Sequence, residues 1–445
     1  MTLALDPALE TVIEFPDPNP GEDGGIVTLS LTNRTNGLTH GLHRFPAKYI
    51  PQLPRWAIAQ YGNADSLILD PFAGSGTTAV EASAAGIRSM SLELNPLSRL
   101  IIGAKTSLPG LSRLSELLRE VELKASFASA RLVTPISGVS NFEHWYDREN
   151  WAALSRLKQG ILAVDATLEE RRFLLVMFSS ILRATSRADD QSQKTYVSGT
   201  NPKTPISVQD GWAIAVRRAR SALRDAESAS WSNGLAAVPE DGDALRVPTH
   251  AGTFDLAITS PPYMDSVDYP YNLMLEHFWL AEEIGIPSRA AFNSLRAGQV
   301  GAKVRASNNN PPASVSSIDF DQLPAHRLPA AIEYFVTMDQ HFASMRAALR
   351  DGARYVMVVG NSSTSTGRIP LHSALCDLAA AHDLGLEYSF AYRVRRHYMK
   401  FPRAGRGGII LFDRVLVFRA GHAAMLDASK LGTPDTYLAP GEVAH

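Results

Sequence analysis

Two short segments far apart in the chain carry residues whose types and spacing could do chemistry. The first, Asp70 to Thr77, contains two glycines and follows the apolar run Ser66 to Leu69. The second, Ser260 to Tyr263, reads Ser-Pro-Pro-Tyr and follows the apolar run Phe254 to Ile258. Each run is typical of a buried parallel strand, and open α/β sheets bind ligands where such strands end. The pattern therefore predicts one ligand-binding edge that both segments share.

The glycine turn predicts a loop that binds a nucleotide-like ligand. Gly74 and Gly76 lack side chains, so the backbone can approach a ligand closely, and a helix predicted from Thr77 offers free N–H groups. Such a helix start suits the carboxylate of a methionine moiety as well as a phosphate. A dinucleotide-binding fold has the same plan, with Ala79 as a permitted variant of its third glycine. The preceding Asp70-Pro71-Phe72 favours S-adenosylmethionine over a dinucleotide.

Composition excludes several classes of protein. The chain has 445 residues, of which 45% are apolar and 20% charged, as is ordinary for a globular protein with room for a second module. No apolar stretch approaches the roughly 18–20 residues of a membrane span. The amino terminus lacks signal-peptide features, so we expect a cytoplasmic protein with no membrane association. Cys376 is the only cysteine, which excludes internal disulfides and Cys-rich zinc sites. It lies in an amphipathic helical pattern and does not follow a proline, so the sequence offers no cysteine nucleophile. We expect it to be a buried structural residue, and we predict no metal site.

Basic residues are unevenly distributed, although the net charge of −2 argues neither for nor against a polyanionic partner. No acidic residue lies between Glu387 and Asp413 or within 285–317. A solvated face is the alternative interpretation of any one cluster, but two such stretches after the Ser-Pro-Pro-Tyr corner favour a surface that binds nucleic acid. The candidate nucleic-acid-binding residues are Arg296, Lys303, Arg305, Arg393, Arg395, Arg396, Lys400, Arg403 and Arg406.

The predicted strands and helices alternate, as an open α/β sheet requires. The predicted strands are 67–70, 89–92, near 241–245, 254–258, 355–359, 389–394 and 414–418, of which the last two form a hairpin. The predicted helices beside them are one around Trp56, 77–85, 271–284, 330–348 and 371–381. Between the two halves of this sheet, helical periodicity at 111–128, 151–164 and 168–183 precedes a polar loop at 186–205, which predicts an inserted helical module.

The corner after the fourth predicted strand resembles the (Asp/Asn/Ser)-Pro-Pro-(Tyr/Phe) motif of methyltransferases that modify exocyclic amino groups. Together with the glycine turn, it makes the chain similar to the DNA amino-methyltransferases of the N4-cytosine/N6-adenine group. The resemblance covers residues 38–104 and 238–420. It implies a class I S-adenosylmethionine-dependent fold, an α/β Rossmann-like sheet that carries the inserted helical module. The glycine turn precedes the Ser-Pro-Pro-Tyr motif here, whereas the reverse order is common in the Ser-Pro-Pro-Tyr branch.

The resemblance also implies a division of the chain. Residues 39–104 and 237–420 form the predicted catalytic domain, and residues 105–236 are the helical insert and candidate target-recognition module. An amino-terminal arm (1–38) and a carboxyl-terminal tail (421–445) complete the chain.

S-adenosyl-L-methionine is the cofactor that the resemblance implies. Glu93, at the end of the second predicted strand, would accept the ribose hydroxyls, and Asp243 with Ala244 would contact the adenine. Phe45 and Lys48 would flank the cofactor. The implied cofactor-binding residues are Phe45, Lys48, Asp70, Pro71, Phe72, Ala73, Gly74, Ser75, Gly76, Thr77, Glu93, Asp243 and Ala244.

The implied catalytic residues are Ser260, Pro261, Pro262 and Tyr263. Hydrogen bonds from an exocyclic amine to the Ser260 side chain and a proline carbonyl would favour a pyramidal nitrogen, since the prolines fix the backbone. Tyr263 would stack on a base extruded from the duplex. Asp268, Tyr269 and Tyr271 lie where they could line the base pocket.

Serine at the first motif position is usual in the N4-cytosine branch of the family. We therefore predict a site-specific DNA (cytosine-N4)-methyltransferase that acts on a base flipped out of double-stranded DNA. An N6-adenine DNA methyltransferase is the nearest alternative, followed by an RNA guanine-N2 or protein-glutamine methyltransferase. A cognate restriction endonuclease is a candidate partner, and the sequence predicts no oligomeric state.

Overall fold

Strands and helices alternate along most of the chain in the computed structural model. The structure describes residues 2–3, 13–14, 37–129, 132, 136, 141–190, 192, 194–229, 231–248, 252–262, 264, 268–301, 310–360, 362–364, 367–393 and 412–428. The strands are β1 (Thr2–Leu3), β2 (Ile13–Glu14), β3 (Leu67–Asp70), β4 (Arg88–Ser91), β5 (Ala236–Ala237), β6 (Phe254–Thr259), β7 (Leu349–Gly360), β8 (Ser362–Thr364), β9 (Gly367–Ile369), β10 (Leu384–Arg393) and β11 (Phe412–Ala420). The α-helices are α1 (Gln52–Tyr61), α2 (Thr77–Ala84), α3 (Pro96–Thr106), α4 (Leu111–Ser126), α5 (Arg148–Ala163), α6 (Leu168–Ser179), α7 (Val208–Ser228), α8 (Tyr269–Asn272), α9 (Met274–Trp279), α10 (Arg289–Gly298), α11 (Leu328–Ala348) and α12 (Leu371–Ala381). Short 3₁₀ helices lie at Phe142–His144 and Phe320–Gln322.

Seven strands form one sheet in the order β10-β11-β7-β6-β3-β4-β5. The strands from β7 to β5 pair in parallel, whereas β11 is antiparallel to both of its neighbours. β10 and β11 form the predicted hairpin. The strand order reverses direction at β3 and β6, and ligands of such sheets bind in the crevice beyond this point. The observed sheet confirms the predicted α/β fold class.

Hydrophobic layers cover both faces of this sheet. In β7, Val356 and Val358 pack on one face with Trp56 of α1, while Tyr355 and Met357 pack on the other face with residues of α11 and α12. The alternation follows from the two-residue period of a strand. Because helices cover both faces, the carboxyl edge is where a ligand can approach.

The helices α4 to α7 form a third hydrophobic layer, which they share with α3, α9 and α10. Trp279 of α9 lies at its centre, with the ring centres of Phe142, Tyr146 and Phe178 between 5.5 and 5.7 Å away. The inserted helices are therefore packed directly against the segment that follows the Ser260 corner. The domain boundaries themselves stay a prediction.

Two predicted elements differ in the structure, and a helix also forms where none was predicted. Residues 241–245 form a turn rather than a strand, because Asp and Gly favour turns, and the edge strand is the earlier two-residue β5. The helix predicted at 271–284 is two short helices, α8 and α9, interrupted at Leu273, whose φ of −113° and ψ of 29° are not helical. Helix α10 lies within 285–317, where no helix was predicted, and is preceded by Ser288, whose side chain accepts a capping hydrogen bond from the Ala291 N–H.

Cys376 is buried in α12, as predicted for a structural cysteine. Burial raises the pKa of its thiol, which keeps it protonated and unreactive. Within the described ranges, no helix has the length and apolar character that crossing a membrane requires.

Candidate active site

A cleft with about 790 Å³ of empty space opens at the carboxyl edge of the sheet. The structure brings most of the predicted site residues together on its walls. Those that line it are Phe45, Lys48, Pro71, Phe72, Ala73, Gly74, Ser75, Thr77, Glu93, Asp243, Ala244, Ser260 and Pro262. Asp70, Gly76 and Pro261 lie behind this lining, and Tyr263 lies outside the described residues. The candidate cofactor loop and the candidate catalytic corner therefore face one cavity.

The glycine turn is held in shape by left-handed backbone. Gly74 has φ of +52° and Gly76 has φ of +78°, conformations that favour glycine. A Cβ on Gly76 would lie 3.0 Å from a side-chain carbon of Ile102, so the turn also packs tightly on α3. Gly76 directly precedes α2, whose first N–H groups point toward the cleft end of the turn.

Asp70 joins the glycine turn to the Ser260 corner. Its side chain is almost fully buried, and its Oδ1 accepts hydrogen bonds from the Thr259 hydroxyl (2.6 Å) and the Phe72 N–H (3.2 Å). The Tyr49 hydroxyl donates to its other oxygen at 3.3 Å. Burial raises the pKa of Asp70 to about 6. Because Thr259 directly precedes Ser260, this carboxyl fixes the two segments relative to each other.

Glu93 presents its carboxylate at the end of β4. One oxygen accepts the N–H of Gly74 and the other accepts the N–H of Asn95, each at 2.8 Å. A carboxylate oxygen can accept more than one hydrogen bond, so both oxygens keep capacity for a ligand. Burial raises the pKa of this carboxyl to about 7.

Two lysines lie near the glycine turn, of which Lys48 lines the cleft. Lys105 of α3 is fully buried and donates to the carbonyl of Ser75 at 2.9 Å, while Lys48 donates to the carbonyl of His40 at 3.0 Å. Burial lowers the pKa of Lys48 to about 8 and the pKa of Lys105 well below its usual range. Among the described residues, neither amine has a carboxylate within salt-bridge distance, and an anionic group beside Lys48 in the cleft would favour its charged form.

Asp243 and Ala244 reach the cleft from a turn, not from the end of a strand as predicted. Gly242 makes this approach possible, because a Cβ there would lie 2.6 Å from the backbone nitrogen of Glu93. Asp243 uses one carboxylate oxygen to accept the Leu245 N–H at 2.9 Å. The turn therefore lies directly on the end of β4.

His341 of α11 supports this turn from below, and sequence reasoning did not identify it. Its Nδ1–H donates to the carbonyl of Ala244 at 2.9 Å, and its Nε2 accepts from the Tyr355 hydroxyl at 2.7 Å. Its ring centre is 4.7 Å from that of Phe72. Burial lowers the pKa of His341 to about 4, so the ring is neutral at physiological pH. No local pattern marks this histidine, because both of its partners are distant in sequence.

The target-side wall of the cleft is aromatic. Phe45 and Tyr269 stack with ring centres 6.1 Å apart, and both line the cleft. Asp268 and Tyr271 lie beside Tyr269 but do not line the cleft. Arg296 of α10 donates to Asp268 at 2.6 and 2.9 Å, and its guanidinium lies 5.0 Å from the ring centre of Tyr271.

Arg296 is the one candidate nucleic-acid-binding side chain that the structure describes, and it is half-buried in this ion pair. The backbone of Arg393 ends β10. The other candidates, Lys303, Arg305, Arg395, Arg396, Lys400, Arg403 and Arg406, lie outside the described residues. The described part of the chain contains no group of three His, Cys, Asp or Glu side chains arranged to hold a metal ion.

Known proteins resemble this chain in sequence. A family model described as DNA methylase, for the N6/N4 methyltransferases, matches residues 23–101. The Type II methyltransferase M.MvaI of Kocuria varians is 24% identical over 400 residues, which cover 82% of this chain and 86% of that protein. The Type II methyltransferase M.MjaII of Methanocaldococcus jannaschii is 34% identical over 104 residues, covering 23% of this chain and 19% of that protein.

Solved structures also match, among them a candidate DNA modification methylase from Thermus thermophilus. It is 15% identical, covers 21% of this chain and 39% of its own, and has a TM-score of 0.15. A TM-score this low carries no argument about the fold, which depends on the observed strand order instead.

The strand order and the cleft at its reversal point define a class I methyltransferase fold. The sequence matches point to the same class, because the chain is similar to DNA methyltransferases of the N6/N4 amino-methyltransferase group. This confirms the resemblance inferred from the glycine turn and the Ser-Pro-Pro-Tyr corner.

Proposed function

We propose that the protein transfers a methyl group from S-adenosylmethionine to the N4 amine of cytosine in double-stranded DNA. The observation that carries this proposal is that Ser260 and Pro262 line the same cleft as Gly74 and Glu93. Serine at the first position of the corner favours cytosine N4 over adenine N6, as is usual for the N4 branch of the family.

The residues around the cleft fit S-adenosylmethionine. The hydroxyls of Ser75 and Ser98 line the cleft and have no hydrogen-bond partner among the described residues, although both are buried. Lys48, which lines the cleft, supplies positive charge for the methionine carboxylate, and Glu93 keeps acceptor capacity for the ribose hydroxyls. The aromatic ring of Phe72 and the turn at Asp243 provide the adenine site. Bound there, the cofactor supplies a methyl group on a sulfonium sulfur.

Ser260 and a proline carbonyl of the same corner act on the amine. The lone pair of an exocyclic amine is conjugated with its ring, so the nitrogen is a poor nucleophile. Hydrogen bonds that the amine donates to the serine hydroxyl and to a backbone carbonyl favour a pyramidal nitrogen aimed at the methyl group. The N–C bond forms as the S–C bond breaks, and one amine proton then leaves to water, because serine is too weak a base to remove it.

DNA is the proposed substrate, and its target base must leave the duplex to enter this cleft. The Phe45–Tyr269 wall offers an aromatic surface for such a base. The inserted helices, which pack against the segment after the Ser260 corner, are the proposed target-recognition module. A cognate restriction endonuclease is a proposed partner, in keeping with the Type II names of both relatives.

A labelled transfer assay tests this function. The protein is incubated with S-adenosylmethionine carrying a labelled methyl group and plasmid DNA from a methylation-free host, and the DNA is digested to nucleosides. We expect label in N4-methylcytosine. Label only in N6-methyladenine would overturn the cytosine assignment, and label in RNA but never in DNA would overturn the substrate class.

A further inference from the structure

The polar loop between α6 and α7 is organised around one buried arginine. We call residues 183–205 the Arg183 loop; its described part contains no helix or strand. The Arg183 side chain is only 7% exposed. Its guanidinium donates to the carbonyls of Asp189 (2.6 Å), Ser192 (2.8 Å) and Lys194 (3.0 Å). A loop this long inside a packed domain usually has a function, and here its shape is fixed by hydrogen bonds.

Two separate contacts hold the Arg183 loop against the target-side wall of the cleft. The Thr195 hydroxyl donates to the carbonyl of Asn272 at 3.0 Å, and Arg183 reaches the same carbonyl at 3.4 Å. From the other side, Arg44 donates to the carbonyl of Ser192 at 3.3 Å. Arg44 adjoins Phe45, and Asn272 ends the helix that begins with Tyr269. Both contacts therefore adjoin the Phe45–Tyr269 pair.

The outer surface of the loop has the chemistry of a nucleic-acid contact. Lys194, Tyr196 and Asn201 are exposed. Ammonium, hydroxyl and amide groups are those that bind phosphates and base edges. The acidic side chains are engaged within the loop, since Asp189 accepts the N–H of Ser192 at 2.9 Å and Asp190 pairs with Lys203 at 2.9 Å.

We propose that the Arg183 loop contacts duplex DNA beside the extruded target base, with Lys194 on a phosphate. This inference depends on the proposed DNA substrate and narrows target contact to one loop of the insert. Arg183 is a positioning residue in this arrangement, because it fixes the loop without facing solvent.

Lys194→Ala is the test, with Lys124→Ala as the matched control. Lys124 is exposed near the end of α4 that packs on Gly160 of α5. Asn150 marks the end of α5 near the Arg183 loop, because it donates to the carbonyls of Thr185 and Ile206. Gly160 lies ten residues later on α5, about 15 Å away by helical rise. Lys124 is therefore remote from the Arg183 loop. Binding of plasmid-derived duplex DNA is measured by fluorescence anisotropy over a range of salt concentrations, in the presence of S-adenosylhomocysteine.

For Lys194→Ala we expect weaker DNA binding, and a slope of log K against log salt reduced by about 1. Cofactor affinity should stay unchanged, and Lys124→Ala should bind DNA as the wild type does. Arg183→Lys should weaken DNA binding further, because lysine lacks the separate Nε and Nη1 donors that reach the Asp189 and Asn272 carbonyls.

Wild-type binding and slope in Lys194→Ala would overturn the proposal, as would an equal loss in Lys124→Ala. A loss of RNA binding without a loss of DNA binding would overturn the choice of DNA. The proposed function fails separately, if the wild-type protein transfers no methyl group to DNA in the labelled assay.

Discussion

The two walls of the cleft are built differently. The cofactor wall consists of short segments that directly follow parallel strands, such as the glycine turn after β3 and Glu93 after β4, and main-chain hydrogen bonds hold it. The target-side wall combines the Ser260 corner with Phe45 and Tyr269. The Arg183 loop does not line the cleft but supports this wall through the Asn272 carbonyl of α8. The difference shows that the sheet edge alone positions the proposed cofactor residues, whereas the proposed target contacts depend on how the insert packs.

Removing the Ser260 hydroxyl should slow methyl transfer without changing cofactor binding, and this is the largest effect we expect. We expect Ser260→Ala to lower kcat about 100-fold, the typical cost of one preorganised hydrogen-bond partner at a reacting group. Affinity for S-adenosylhomocysteine should not change, because the cofactor wall stays intact. Single-turnover methylation and calorimetric titration measure the two quantities.

Ser115→Ala on α4 is the matched control, since it removes a hydroxyl that bonds only within its own helix turn. Wild-type kcat in Ser260→Ala would show that another group orients the amine. A matching loss of cofactor affinity would show that the two walls are not separable.

Acidification should weaken cofactor binding through the cofactor wall. Because burial raises the pKa of Glu93 to about 7, this carboxyl is protonated below neutral pH and is then a poor acceptor for ribose hydroxyls. We expect the affinity for S-adenosylhomocysteine to be constant above pH 7 and to fall below it by up to about tenfold per pH unit, the limit for one proton. Calorimetric titration across this pH range locates the break, the pH below which the affinity begins to fall.

Glu93→Gln identifies the titrating group. Its amide cannot ionise, so the variant should bind more weakly at high pH and show no break near pH 7. A break that survives in Glu93→Gln and lies nearer pH 6 would assign the effect to Asp70, whose pKa burial raises to about 6.

The sequence predicts the cofactor wall better than the target-side wall, for a physical reason. Gly74 and Gly76 are identifiable because a tight turn after a strand needs glycine locally. The contacts of Arg183 and His341 are with the carbonyls of Asn272 and Ala244, main-chain groups about 90 and 100 residues away that no local pattern reveals. The Asn272 carbonyl that Arg183 reaches directly precedes Leu273, where a helix predicted to be continuous is interrupted. Gly242 is a similar case, since its need for glycine arises only from contact with Glu93.

The cofactor wall also depends on a distant helix, because His341 of α11 supports the turn at Asp243. The smallest expected effect tests this dependence. His341→Leu removes the donor to the Ala244 carbonyl, so the turn that carries Asp243 should lose its position at the adenine edge. We expect the preference for S-adenosylhomocysteine over S-inosylhomocysteine, which lacks the adenine amine, to fall by about threefold to tenfold, as one hydrogen bond allows. Tyr355→Phe, which keeps the histidine and removes only its donor, should give a smaller loss in the same direction. A general loss of stability would weaken the binding of both ligands equally and leave the ratio of their affinities unchanged. That result would show that His341 has a purely structural role.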